Sequence, residues 1–156
     1  SNLSKIMKRI CKIENISITS EAEEFIISIS SNSVRTMINY LEKFKLLVSD
    51  IDINIAVNVC TNISFKDFEK YTDLCKTKKD YINSIKILYN LVDRGYSVMD
   101  ILDNYFIFVK ITKQLSEDEK YYIFKLICKY ITIFYDIHED EIELALFTNN
   151  LISIFN

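Results

Sequence analysis

A chain of 156 residues with no proline, and with glycine only at position 95, lacks nearly all the residues that punctuate tight turns. Turns, bulges and sheet corners draw on Gly for positive φ and on Pro for a fixed φ. Their near-absence disfavours an all-β architecture, and long runs with a 3.6-residue apolar period point to helices. Hydrophobic residues make up 49% of the chain, enough for one core or two small ones. The expected fold class is all-α.

Apolar spacing gives the order of elements. Residues 3–14 predict a first helix, with Leu3, Ile6, Met7, Ile10 and Ile13 on one stripe. ENISI is a connector, after which Ser20 and Glu23 have the spacing of a capping box. Ala22, Phe25, Ile26 and Ile29 then carry a second helix. A third begins near Asn32 or Ser33 and turns Val34, Met37, Ile38, Leu41, Phe44 and Val48 to the core. In IDINIAVNV the apolar residues alternate strictly, the pattern of a strand. A strand with no partner would leave its backbone groups unpaired, so a short helix after Asp52 is the better expectation.

A boundary falls at 61–64, giving domains 1–62 and 63–156. Beyond it, helices are expected over 65–76 and 79–93, the second with Ile82, Ile85, Leu88, Tyr89 and Val92 inward. Gly95 serves as a C-cap. Ser97 caps a helix to Ile111, Ser116 and Glu119 open a long helix to Tyr135, and a last helix runs from Glu139 or Asp140 to Ile152. The acidic run HEDEIE suits a solvated helix N-terminus. A three- to four-helix unit is thus followed by a five-helix bundle.

Net charge is −3 with both signs interspersed, which argues against nucleic-acid binding through this chain's own electrostatic footprint. Cys11, Cys60, Cys75 and Cys128 are widely spaced among apolar or mixed residues. They read as reduced intracellular thiols, and His138 cannot complete a metal set with them. The most apolar run, YYIFKLICKYITIFYDI, is interrupted by Lys125 and Lys129, so no membrane partner is expected. There is no Gly-rich phosphate loop, HExxH, EF-hand loop or Ser–His–Asp set, hence no expected catalytic or metal-binding residues.

Arg35 is the exception. It lies in the first turn of the third helix, where a cation costs about 0.3–1 kcal/mol against the helix dipole. A surface position, or a pair with Glu42 or Glu24, would account for it. Equally, a guanidinium there could serve an anion outside this chain, since it grips phosphate bidentately.

The segment SSNSVRTMINYLE resembles the lid-domain segment of AAA+ clamp-loader small subunits of the replication factor C type. That family's pattern is roughly G-D-x-R-x-A-x-N-x-L-Q at a helix start. Arg35, Asn39 and Leu41 fall on the arginine, asparagine and leucine, while Asn32, Ser33, Met37 and Glu42 replace the glycine, aspartate, alanine and glutamine. Asn tolerates a left-handed turn and Ser keeps a cap. GYSVMDIL, residues 95–102, resembles the family's G-x-S-x-x-D-I-L collar segment. EDEIELALFTNNLI resembles its final helix, with Glu143 for the usual Gln.

The resemblance implies an AAA+ lid followed by a collar. Arg35 would be the sensor-2 residue, reaching the phosphates of ATP held with magnesium by an ATPase domain in the full-length protein. This chain would be the C-terminal part of a longer subunit, with Ser1 a cloning remnant, itself without ATPase activity or bound cofactor. Partners would be other clamp-loader subunits through the collar. A sliding clamp and primer–template DNA would be reached through the ATPase domain, in the nucleus or at a viral replication site. One alternative is a viral all-helical interaction module, such as an apoptosis-regulator-like groove binder built around the 121–135 run. Another is the C-terminal region of a different AAA+ protein.

Overall fold

The computed structural model describes residues 2–47 and 50–156, so Val48 lies outside the described residues. Among them the chain is all-α, with nine α-helices and one π turn. They form two compact units, Ser1–Asn62 and Ile63–Asn156.

The first unit holds α1 (Asn2–Glu14), α2 (Ser20–Ile29), α3 (Val34–Lys45) and α4 (Ile53–Cys60). Its core draws on Met7, Phe25, Ile26, Met37, Leu41 and Phe44, each no more than 3% exposed. Helix α2 buries the four expected residues. Helix α1 buries a narrower line than its sequence suggests: Leu3, Met7 and Cys11 are inside, while Ile6 and Ile13 are 37% and 66% exposed. The polar contacts of α1 explain that rotation. Ser4 Oγ donates to Glu23 Oε1 at 2.7 Å and Lys8 lies 3.8 Å from the same carboxylate, which brings the Ser4–Lys8 edge to α2.

The same contact removes the expected Ser20–Glu23 capping box. The N-cap is Thr19, whose Oγ1 accepts from Ala22 N at 3.3 Å. Thr19 is held extended by an isolated parallel bridge between Ile18 and Ile51, in which Thr19 N donates to Ile51 O and Ile51 N to Ser17 O. That bridge also resolves the alternating segment. Ile51 pairs and is buried, Asp52 Oδ1 accepts from Ile55 N at 2.8 Å, and the helix α4 follows as expected.

The second unit contains α5 (Phe65–Asp73), which continues into the π turn Leu74–Lys78, then α6 (Tyr81–Asp93), α7 (Val98–Ile111), α8 (Glu117–Asp136) and α9 (Ile142–Ile154). An aromatic cluster fills it: Phe68, Tyr105 and Phe108 stack or tilt on one another at 5.2–5.8 Å, with Phe147 edge-on to Tyr105 at 6.1 Å. Each such ring buries a large apolar area and adds about 0.5–1.5 kcal/mol per well-placed pair.

Helix α6 departs from expectation. Its inner line is Ser84, Leu88 and Leu91, and Ile82 is 65% exposed. The helix begins only at Tyr81 because Lys79 takes a left-handed φ of 53° and Asp80 caps, its Oδ1 accepting from Asn83 N at 3.1 Å. Small Ser84 then fits the packed side and turns Ile82 outward. The capping box at Ser116–Glu119 is formed in full. Helix α9 starts at Ile142, later than the acidic run suggests. Asp140 Oδ1 accepts from Ile142 N, and half-buried Glu139 turns away to accept from Met99 N at 3.3 Å.

Candidate functional site

The geometry around Arg35 begins at the end of α2. Buried Ser30 closes that helix, its N–H and hydroxyl both donating to Ile26 O at 3.0 and 2.6 Å. Two left-handed residues follow, Ser31 at φ 49° and Asn32 at φ 61°. Ser33 N then donates to Ser30 O at 2.8 Å. The left-handed conformation that the resemblance assigns to position 32 is therefore present, on the residue type most tolerant of it after glycine.

Ser33 is extended and its Oγ accepts from Thr36 N at 3.2 Å, so α3 has an ordinary N-cap. The first turn carries no acidic residue. Arg35 is exposed and makes no hydrogen bond or ion pair among the described residues, so neither Glu42 nor Glu24 engages it. A charged guanidinium, opposed by the helix dipole and left uncommitted, sits beside unpaired first-turn amides. That is an arrangement suited to an incoming anion.

The 95–102 segment plays a different part. Gly95, at φ 99°, closes α6 in a Schellman turn: its N–H donates to Val92 O at 2.9 Å, and Tyr96 N to Leu91 O at 3.2 Å. Ser97 Oγ accepts from Asp100 N at 3.1 Å, and Val98, Ile101 and Leu102 are buried. These residues seat α7 in the core. Burial, reinforced by Asp100 and Glu139, raises the Asp103 carboxyl above its ordinary range.

On α9, Leu144, Phe147, Thr148 and Leu151 are buried, while Ile142 and Leu146 are 58% and 48% exposed. Helix α8 exposes Tyr121, Tyr122, Cys128 and Lys129 along one side. It is thus not the buried central helix that a groove-binding module built around residues 121–135 would require.

Burial pushes the Cys60 thiol up to about 12 and the Cys75 thiol to about 11, the reverse of an activated nucleophile. Among the described residues no group of His, Cys, Asp and Glu could hold a metal ion, and no helix is long and apolar enough to cross a membrane.

One feature escaped the sequence reading. Lys70 and Lys78 on one side, and Lys86 and Arg94 on the other, line a groove between α5, the π turn and α6. Its only sequence signal is the spacing of these cations along two helix faces.

Residues 50–130, just over half of the chain, match the family model of the replication factor C C-terminal domain. The match takes in the 95–102 segment and leaves Arg35 outside it. No curated protein matches the chain. With an all-α fold around that matched region, the chain belongs to the replication factor C C-terminal domain family, the C-terminal region of a clamp-loader small subunit.

Proposed function

We propose that the Ser1–Asn62 unit is the ATP-sensing lid of the subunit and the Ile63–Asn156 unit its collar. In this reading Arg35 touches the phosphates of ATP held by an ATPase domain elsewhere in the full-length protein. The observation that supports it is the uncommitted state of Arg35 at a capped helix start. The residues fit a phosphate: a permanent cation with five donors, adjoining free amide N–H groups, on a rigid helix. ATP would supply the charge that the guanidinium answers, and magnesium would be held by the ATPase domain.

The chain's own residues then have distinct tasks. Arg35 reports whether phosphate is present, and Ser33 and the left-handed Ser31–Asn32 turn hold the helix that carries it. Burial of Met37, Leu41 and Phe44 makes α3 move with its unit as one body. The exposed apolar side chains Tyr121, Tyr122, Ile142 and Leu146 offer the collar area for packing against other loader subunits. In the assembled protein these parts would serve loading of a sliding clamp onto primer–template DNA, in the nucleus or at a viral replication site.

The test is Arg35→Ala in the intact subunit assembled with its partners. Loss of a charge-assisted contact should weaken ATP binding by about 10- to 100-fold. Circular dichroism of the variant chain should stay unchanged. An unaltered affinity would overturn the sensor role. The chain alone should not hydrolyse ATP, and turnover by the pure chain would contradict the lid assignment.

A further inference from the structure

The groove between α5, the π turn and α6 has a volume of about 680 Å³ and belongs wholly to the second unit. Asp67, Lys70, Leu74 and Lys78 form one wall at helical spacings of three and four residues. Asn83, Lys86, Ile87, Asn90 and Arg94 form the other. Twelve residues on each side, 67–78 and 83–94, make a trough about 17 Å long. The π turn that completes the first wall is an irregularity that concentrates at functional sites.

Four cations face two carboxylates in this lining, against the −3 balance of the whole chain. The carboxylates are already engaged. Asp67 lies 3.4 Å from Arg94, and Asp80 accepts from both the backbone and the side-chain amide of Asn83. Lys78 lies 3.9 Å from Asp73 and, like Lys86, also acts at longer range on the Asp80 carboxylate. Lys70 and Lys86 are exposed and have no ion pair or hydrogen bond among the described residues. Positive charge is therefore left over on both walls of one trough. Of the apolar lining residues, Ile87 is half-buried while Leu74 and Leu91 are buried, and the amides of Asn83 and Asn90 flank them.

This chemistry selects among ligands. A single phosphate would fill little of the space. A nucleic-acid strand needs stacking aromatics or a dense positive track, and the lining has no aromatic and two carboxylates. A helical peptide needs charges on both flanks to set its register, a trough of this length and some apolar contact, which Ile87 and the aliphatic stems of the lysines supply. We propose that the groove is a docking site for an acidic amphipathic segment of a partner protein. Its apolar side chains would rest on Ile87 and the lysine stems, and its carboxylates would lie between Lys70 and Lys86. The assignment does not depend on the lid reading of Arg35, which concerns the other unit.

The experiment measures fluorescence anisotropy of a labelled helical peptide of about 14 residues, long enough to fill the trough. Leucines occupy one face and glutamates the rest. The controls are its all-Gln counterpart and a single-stranded DNA of similar length. The acidic peptide should bind saturably at low salt, and the Gln peptide should bind at least about tenfold more weakly. Lys70→Glu combined with Lys86→Glu should cause a similar loss with an unchanged circular dichroism spectrum, since both side chains are exposed. Absence of saturable binding at millimolar peptide, equal binding of the Gln peptide, full binding by the double variant, or preference for the DNA would each overturn the proposal.

Discussion

The hydroxyls of Tyr71 and Thr148 lie 2.9 Å apart and share a hydrogen bond, both fully buried. Thr148 has one proton, and its Oγ1 donates it to Leu144 O at 2.8 Å. With that proton on Leu144 O, Thr148 accepts from Tyr71, whose hydroxyl also contacts the Cys75 thiol. Thr148→Val takes away that acceptor and leaves the buried phenol with the weakly accepting Cys75 sulfur, costing about 1–3 kcal/mol. Tyr71→Phe leaves Thr148 satisfied by Leu144 and should cost about 1 kcal/mol. Urea unfolding of the two variants checks the order, and the reverse order would refute the assigned direction.

Burial, above all, raises both Tyr71 and Tyr105 beyond the ordinary phenol range, and each stays neutral in the fold. In the unfolded chain both ionise near pH 10. Because the folded values are the higher ones, their stabilising effect is full below about pH 10 and is lost as pH rises beyond it. Helical circular dichroism should collapse together with a rise in tyrosinate absorbance. Tyr71→Phe should make the alkaline limb of the stability curve shallower than in the parent chain.

Glu119 serves two partners at once, accepting from Ser116 N and from Lys76 Nζ, each at 2.8 Å. Partial burial opposes its ionisation, but Lys76 and Ser116 outweigh it and hold the carboxyl below its ordinary range. A lowered folded value means that the contribution is present above the unfolded pKa of about 4.3 and disappears as pH falls. Glu119→Gln keeps the cap geometry and loses the charge, so about 0.5–1 kcal/mol is expected at neutral pH. Glu119→Ala loses both, about 1–2 kcal/mol. Below pH 4 the difference between parent and Gln variant should shrink, which a melting series against pH would reveal.

Arg35 should be a liability to the chain by itself. Arg35→Gln removes a cation from a first helical turn and should stabilise the first unit by about 0.3–1 kcal/mol, less in high salt. Thermal melts in low and high salt measure this directly. A destabilised variant would mean that Arg35 has a structural partner within the chain.

Much of this was legible in the sequence because helices announce themselves by period. The order of elements, the Ser33 and Ser116 caps, the Gly95 C-cap and the burial of Met37, Leu41 and Phe44 follow from local chemistry alone. What was lost lay in contacts between elements. Ser20 and Glu23 had the right spacing for a box, but Ser4 claimed Glu23 from another helix, and the Ile18–Ile51 bridge moved the cap to Thr19. Ile82 had the right period, yet Ser84 took the packed position. The exposure of Arg35 could be foreseen from its place on α3. The cationic groove could not, because its walls come from helices whose pairing no local pattern states.

The π turn at Leu74–Lys78 also has a bearing on how this region can change. Leu74 O accepts from the amides of both Lys79 and Asp80, spanning a loop wider than a regular helix allows. A π turn holds one residue more than an α turn over nearly the same sweep, so deleting a single residue there would let the turn close as a regular helix and leave whatever follows facing nearly the same way. Lys78 would keep its row, and Asp80 would keep its place at the start of α6. Loss of one codon at that place would shorten the chain without turning α6, whereas the same loss in a regular helix would rotate the remainder by about 100°.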